Sequence, residues 1–161
     1  FWKKEGVLRN TVPLELNEGE LRHRNNTSSE LLLYGYIPLM LSAQCVRKNL
    51  FGCTGKCETV YLKDRYNSEF PVKCCCTPWE CSSLEKAKYC YNIIYNSIPY
   101  GLPGERERVE KLNLQSLRLA FTVEKPEEAR EIFKEFQSVY QKNGKPSGRR
   151  YTKGHFKRGA E

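Results

Sequence analysis

The chain has 161 residues, of which 39% are hydrophobic and 12% aromatic, enough to build a core and to exclude disorder throughout. Lysine and arginine outnumber aspartate and glutamate by 27 to 19, which gives a net charge of +8. The longest apolar run, residues 31–43, contains Gly35 and Pro38 and is shorter than the roughly 20 residues of a spanning helix. We therefore expect no membrane span.

The first elements along the chain are predicted from hydrophobic periodicity. Residues 12–16 alternate between apolar and other side chains, which is the period of a half-buried strand, and residues 18–26 are polar and either helical or loop. Residues 31–41 are nearly all apolar, which is typical of a strand covered on both faces in a parallel sheet. A buried helix is disfavoured there by the glycine and the proline.

The middle of the chain predicts short strands. Residues 59–64 and 70–73 flank a polar segment, which indicates a hairpin with a longer loop. Residues 91–97 form another short strand-like run.

The last third predicts helix, strand and helix in that order. Residues 105–112 favour a brief helix, and residues 117–123 alternate as a strand. The clearest helix opens at Pro126, has one apolar face and ends before Gly144. Strands alternating with helices predict an α/β architecture with a parallel sheet. Because three parallel-type strands are too few for a closed barrel, we expect a piece of a longer protein.

All eight cysteines lie between Cys45 and Cys90. A disulfide framework is one interpretation, although it needs an oxidising compartment and suits small domains without a core. Metal ligation is the second: the closest approach to a paired zinc motif is Cys53-x3-Cys57, whereas an iron–sulfur cluster tolerates irregular spacing. A reactive thiol paired with His155 is the third.

The end of the chain, residues 142–161, is a basic tail. It carries seven basic residues and one acidic residue, and it is rich in glycine. Such a tail binds phosphates, which makes RNA a candidate partner, or it is a solvated terminus.

Several blocks together resemble one family, the collagenase-like peptidases of unknown catalytic type (family U thirty-two). The likeness runs from about Val12 to the end of the chain. The blocks that carry it are ELLLYGYIPLMLSAQC at residues 30–45, YLKDR at 61–65, FPVK at 70–73, Cys90 before YNS at 95–97, and YTKGHFKRG at 151–159.

The resemblance implies a fold and two alternative activities. The fold is the C-terminal part of a TIM-type (β/α) barrel over residues 1–141, with a cysteine-rich insertion at 45–97, followed by the basic tail. The rest of the parent chain is then an expected partner. The implied activity is peptidase action on a protein or peptide, with the mechanism unassigned. The alternative is oxygen-independent hydroxylation of tRNA, rRNA or a quinone precursor, dependent on a [4Fe–4S] cluster.

The resemblance also implies a ligand set for that cluster. By motif, the ligands fall on Cys45, Cys76 and Cys90, with Cys53 favoured over Cys57 as the remaining one. The segment 77–88 looks inserted between two of these ligands, and three cysteines are surplus, namely Cys74, Cys75 and Cys81. Zinc is the alternative metal. Ligation by reduced thiolates places the protein in the reducing cytoplasm.

No hydrolytic signature such as G-x-S-x-G or H-E-x-x-H occurs in the chain. Asp64 and Arg65 are candidates for a catalytic acid and an oxyanion partner, against a surface ion pair at a hairpin. His155, with Arg158, is a candidate for substrate contact, against an inert exposed histidine. Glu15 is a candidate if it points into a barrel mouth, against a solvent-facing strand residue.

Overall fold

The computed structural model describes residues 4–52, 55–79 and 87–158. Of the predicted site residues, Cys53 lies outside these ranges, as does the surplus Cys81. In chain order the elements are β1 (Asn10–Thr11), α1 (Glu18–Arg22), β2 (Ser29–Gly35), β3 (Pro38–Ser42), α2 (Val46–Phe51), β4 (Glu58–Lys63), β5 (Glu69–Trp79), β6 (Ala87–Tyr95), β7 (Tyr100–Gly101), a 3-10 turn (Pro103–Glu105), α3 (Arg106–Glu110), β8 (Ser116–Ala120) and α4 (Pro126–Lys142).

These elements divide into two compact units. Unit 1 joins residues 1–35 to residues 98–161, and unit 2 is the intervening segment 36–97. The cysteines of the described chain therefore all belong to unit 2, and the basic tail belongs to unit 1.

The sheet of unit 1 is centred on β2. Strand β8 pairs with it in parallel along one side, while β1, in parallel, and β7, antiparallel, share the other side. Because β2 has a neighbour on both sides and its residues 31–35 are all buried, it requires the continuous apolar run seen in the sequence. The strand predicted over residues 12–16 is wrong: β1 ends at Thr11, and the buried Val12 leads into a turn.

Helix α4 supplies much of the core of unit 1. Pro126 occupies its first turn, where the missing N–H costs nothing, and Asn143 ends it in the left-handed conformation with φ of 58°. The ring of Phe136 lies 5.8 Å from that of Tyr34 and 6.0 Å from that of Tyr151, both at steep angles. The predicted apolar face of this helix is thus the face that packs, with Ile132 and Val139 also buried.

Unit 2 is built on a wholly antiparallel sheet in the order β3-β6-β5-β4. The predicted hairpin is present as β4 and β5, paired from Glu58↔Cys74 to Lys63↔Glu69. The apolar run 31–41, predicted as one strand, is instead two: β2 ends at Gly35 in unit 1, and β3 begins at Pro38 in unit 2.

The predicted C-terminal part of a TIM-type barrel is wrong. Within the described ranges no closed barrel forms, and the two four-stranded sheets are separate. The physical reason is that segment 36–97 builds an antiparallel sheet of its own, and the short β7 runs antiparallel to β2 beside the parallel strands of unit 1. No helix in the described part of the chain is long and apolar enough to cross a membrane.

Candidate metal centre

Three cysteines of β5 and β6 share one face of the unit 2 sheet. In the register of these strands Cys76 stands directly opposite Cys90, and Cys74 stands opposite Asn92. Because side chains alternate between faces along a strand, Cys74 and Cys76 lie on the same face and Cys75 lies on the other. We call the surface formed by Cys74, Cys76, Cys90 and Asn92 the cysteine face.

Cys76 and Cys90 are the closest thiols in this group. Their sulfur atoms are 3.4 Å apart, and each side chain is only partly buried. This proximity follows from the register, because directly opposed residues of antiparallel strands have their Cβ atoms roughly 5 Å apart. The family resemblance implied both residues as ligands, and the structure brings these two together.

Cys45 reaches the cysteine face from helix α2. It is the N-cap of that helix, and its Sγ accepts a hydrogen bond from the backbone N–H of Lys48 at 3.4 Å. The Cys45 and Cys74 side chains are hydrogen-bonded to each other. A third predicted ligand therefore lies beside the face, although the surplus Cys74 is the thiol that it contacts.

Cys74 itself is the least accessible of the described cysteines, with 1% of its surface exposed. Burial raises the pKa of its thiol, because a thiolate is disfavoured away from water. A backbone hydrogen bond from Arg47 acts in the opposite direction, and negative charge on Cys45 adds to the rise.

Cys57, the alternative to Cys53, lies at the end of the β4–β5 ladder. Its Sγ accepts a hydrogen bond from the backbone N–H of Cys76 at 3.3 Å and donates to the Cys76 carbonyl at 3.5 Å. The Cys57 thiol thus pairs with the backbone of Cys76, as a backbone group of a neighbouring strand would. This contact is a feature that sequence spacing did not suggest.

Asn92 adds a buried polar group to the cysteine face. Its Nδ2 donates a 2.8 Å hydrogen bond to the carbonyl of Gln44, which ties β6 to the segment that precedes α2. Its Oδ1 is buried and has no partner within the described ranges. An unpaired buried acceptor costs about 1–3 kcal/mol, so this atom is open to a bound water or another donor.

The donor chemistry of this face suits a thiolate-bound metal group. Thiolates are soft ligands that select iron–sulfur clusters or zinc, and three of the predicted ligands lie on or beside the same face. Within residues 4–52, 55–79 and 87–158, however, no three cysteine, histidine, aspartate or glutamate side chains converge closely enough to hold a metal ion. The residues are of the right kind for such a group, but Cys45 would have to approach the Cys76–Cys90 pair for three thiols to converge.

Cys75 points away from this arrangement. It stands opposite Tyr91 in the β5–β6 register, on the other face of the sheet. Its thiol is hydrogen-bonded to the Tyr91 side chain, and this bond is the main reason that the pKa of the tyrosine is raised. Cys75 therefore serves as a natural control for the cysteine face.

The catalytic candidates Asp64 and Arg65 lie in the turn between β4 and β5. Oδ1 of Asp64 accepts hydrogen bonds from the backbone N–H groups of Tyr66, at 2.8 Å, and Ser68, at 2.9 Å. The Arg65 guanidinium lies 4.7 Å from the centre of the Tyr66 ring. These contacts are those of a side chain that closes a turn.

The remaining candidates, His155 and Glu15, belong to unit 1 and are both exposed. His155 lies beside the buried Phe156, and its carbonyl accepts a hydrogen bond from the backbone of Arg158. Glu15 lies in the turn between β1 and α1. The structure places these residues in a different unit from Asp64 and Arg65.

The basic tail is packed against unit 1 by specific contacts. Arg149 forms ion pairs with Glu128 and Glu131 of α4, at 3.3 and 3.1 Å. The Tyr151 hydroxyl donates a 2.8 Å hydrogen bond to Glu135, and Thr152 pairs with Tyr100 as an isolated parallel bridge. The sequence did contain a signal for this docking, because the three glutamates are spaced to lie along one side of the helix.

Comparison with known proteins yields no relative: no protein-family model, no curated protein and no solved structure matches the chain. The likeness to the collagenase-like peptidases therefore stands on the sequence blocks alone.

Proposed function

We propose that this chain binds a [4Fe–4S] cluster on the cysteine face and belongs to an oxygen-independent hydroxylase related to the collagenase-like peptidases. The observation that carries the proposal is the β5–β6 register, which sets Cys76 opposite Cys90 with their sulfur atoms 3.4 Å apart. Cys45, hydrogen-bonded to Cys74 of the same face, is the third ligand. The fourth is Cys53, as the family resemblance implies.

A cluster is favoured over zinc by the type and spacing of the donors. All four assigned ligands are cysteines, and their separations along the chain do not form the two close pairs of a structural zinc site. Iron–sulfur clusters are held by four thiolates and accept varied spacing. When bound, such a cluster would supply one-electron chemistry, and these cysteine thiolates would hold it. The reducing cytoplasm is the compartment that keeps these thiols available.

The contacts of the catalytic candidates give peptide hydrolysis no support. Oδ1 of Asp64 accepts hydrogen bonds from two backbone N–H groups of its own turn, and Arg65 stacks on a neighbouring tyrosine. A peptidase needs a nucleophile or activated water with an oxyanion stabiliser. Neither residue is arranged for that role, so peptidase activity, like hydroxylation, stays a prediction of the resemblance.

The cluster is tested by anaerobic purification of the full chain. We expect a brown protein with iron and acid-labile sulfide in equal amounts. Cys45→Ser, Cys76→Ser and Cys90→Ser each lose most of the iron, whereas Cys75→Ser, altered on the opposite face, keeps it. A colourless protein without iron would contradict cluster binding, and stoichiometric zinc would assign the site to the alternative metal.

The activity is tested in the source organism. We expect a deletion strain to lack a hydroxylated nucleoside in tRNA or rRNA, or a hydroxylated quinone intermediate, as measured by mass spectrometry of both pools. Complementation by the Cys75→Ser gene restores the product, and complementation by Cys90→Ser does not. Unchanged pools together with peptide cleavage by the purified protein would favour the peptidase.

A further inference from the structure

We propose that Cys76 and Cys90 form a reversible cross-strand disulfide when the cysteine face holds no metal. This modification is independent of the cluster, since it follows from the geometry of the two strands. Only its consequence for cluster loading, given below, rests on the proposed function.

The backbone geometry at Cys76 identifies the kind of pair that it forms with Cys90. In an antiparallel strand the N–H and C=O of one residue point to the same side. Both groups of Cys76 contact the Sγ of Cys57, which directly precedes β4, so both point toward β4. They therefore point away from β6, and Cys76 and Cys90 form a non-hydrogen-bonded pair.

Non-hydrogen-bonded pairs bring side chains closest together. Their Cα atoms are about 4.5 Å apart, against about 5.5 Å in hydrogen-bonded pairs. That separation lies within the range of roughly 4.4–6.8 Å that a disulfide spans. The observed sulfur separation of 3.4 Å closes to a covalent bond of about 2.05 Å by side-chain rotation, with the strands in their present register.

The competing pairs are less well placed. Cys45 and Cys74 are also in contact, but Cys74 is only 1% exposed, so an oxidant has little access to that pair. The Cys57 sulfur is held on the backbone of Cys76 rather than on its side chain. Cys76 and Cys90 combine proximity with partial exposure.

The oxidant is a small-molecule disulfide of the glutathione type. One thiolate of the pair attacks a sulfur of the reagent, which forms a mixed disulfide and expels one thiolate. The second thiolate of the pair attacks the protein sulfur of that mixed disulfide, which forms the Cys76–Cys90 bond and expels the second reagent thiolate. The two cysteines lose two electrons and two protons in total, and the reagent takes up both.

The consequence concerns cluster loading, and this step rests on the proposed function. Cys76 and Cys90 are two of the four assigned ligands, and a sulfur engaged in a disulfide cannot coordinate iron as a thiolate. The oxidised chain is therefore unable to take up a cluster until a dithiol reduces it. The pair makes loading of the site dependent on the thiol redox state of the cell.

The disulfide is tested on the metal-free full chain treated with oxidised glutathione, followed by alkylation of remaining thiols and tryptic mass spectrometry. Cleavage after Lys73, Lys86, Lys88 and Arg106 gives peptide 89–106, in which Cys90 is the only cysteine, and peptide 74–86, which holds four. We expect these two peptides to be cross-linked, with fragmentation assigning the bond to Cys76. Alkylation of Cys90 should fall by about tenfold and return after reduction with a dithiol.

Variants make the assignment specific. Cys75→Ser should form the same cross-link, and Cys76→Ser should leave Cys90 open to alkylation. Each variant is first compared with the wild type by circular dichroism, and Cys76→Ala serves if the serine variant is unfolded. Alkylation of Cys90 unchanged by oxidation, or a cross-link from Cys90 to Cys45, Cys57 or Cys74, overturns the proposal.

The two proposals fail separately. Iron and sulfide content are measured on a second, reduced sample reconstituted under anaerobic conditions. A cross-link without iron binding rejects the proposed function and supports the disulfide. Iron binding without a cross-link does the reverse. Oxidised protein that takes up iron and sulfide without prior reduction would contradict the redox dependence of loading.

Discussion

The ammonium group of Lys157 lies 3.1 Å from the carboxylate of Glu105, whose side chain is only 5% exposed. Lys153 also pairs with this carboxylate, and Arg108 lies 3.4 Å from it. Burial by itself would raise the pKa of Glu105, but hydrogen bonds and charge from the two lysines outweigh it and lower the pKa. Glu105 is thus the anchor that holds the C-terminal part of the basic tail to unit 1.

Replacing this anchor should loosen the tail. We expect Glu105→Gln to lower the free energy of unfolding by about 1–2 kcal/mol, because it removes charge-assisted hydrogen bonds to lysines that are themselves partly exposed. Urea denaturation measures the loss, and trypsin cleavage after Lys153 and Lys157 should become faster. Glu107→Gln, which alters a neighbouring exposed glutamate, is the matched control. Equal effects of the two substitutions would contradict the anchor.

The same carboxylate predicts a pH dependence. Because the pKa of Glu105 is lower in the folded chain than its unfolded value of about 4.3, its ionised form stabilises the fold above that pH. This contribution should decline as the pH falls below about 4.3 and through the folded pKa. The difference in unfolding free energy between wild type and Glu105→Gln, measured from pH 7 downward, should therefore shrink in acid. A difference that grows in acid would contradict a lowered pKa of Glu105 in the folded chain.

The aromatic core of unit 1 offers a test of packing. Phe136 is 2% exposed and meets the rings of Tyr34 and Tyr151. We expect Phe136→Ala to cost about 3–5 kcal/mol, the usual cost of removing a buried aromatic ring. Phe133, one turn earlier on α4, is 51% exposed, so Phe133→Ala should cost less than about 1 kcal/mol. Thermal denaturation distinguishes the two, and similar losses would contradict the orientation of the helix.

Asp64 distinguishes a structural role from a catalytic one. Asp64→Ala removes the acceptor for two backbone N–H groups of the β4–β5 turn, and we expect a loss of about 1 kcal/mol in stability. Asp64→Asn keeps an oxygen in the same position and should retain most of the stability. In a purified protein with measurable activity, both variants should keep that activity. Loss of activity in Asp64→Asn with stability unchanged would instead support a catalytic acid.

Elements with a strong local pattern were predictable from the sequence. Helix α4 has a proline at its start, one apolar face and an end signal within a single stretch, and the β4–β5 hairpin has its turn residues between two apolar runs. The prediction of a single strand over residues 31–41 was wrong because the composition of this run suits a strand throughout. The division of the run between Gly35 and Pro38 depends on which sheet each half joins, and tertiary packing determines that.

The candidate site shows the same limit. The resemblance assigned Cys76 and Cys90 as ligands, but their direct opposition depends on the register of β5 and β6, which cross-strand packing determines. The contact of Cys45 with Cys74, and that of Cys57 with the Cys76 backbone, join residues 29 and 19 positions apart in sequence. Contacts at such separations leave no local signature, so the surplus cysteines could not be sorted in advance.

The contacts of the basic tail indicate which of its side chains could bind RNA, as the sequence predicts for the tail. Lys153 and Lys157 are committed to Glu105, and Arg149 to α4, whereas Lys145 and Arg150 are exposed and form no ion pair within the described ranges. If the tail binds single-stranded RNA, Lys145→Gln with Arg150→Gln should weaken binding and reduce the salt dependence of log K by about 0.7 per lost phosphate contact. Lys111→Gln with Lys134→Gln removes the same charge from exposed positions elsewhere in unit 1. Fluorescence anisotropy over a salt series compares the two. Equal losses in both double variants would mean that net charge rather than the tail attracts the RNA.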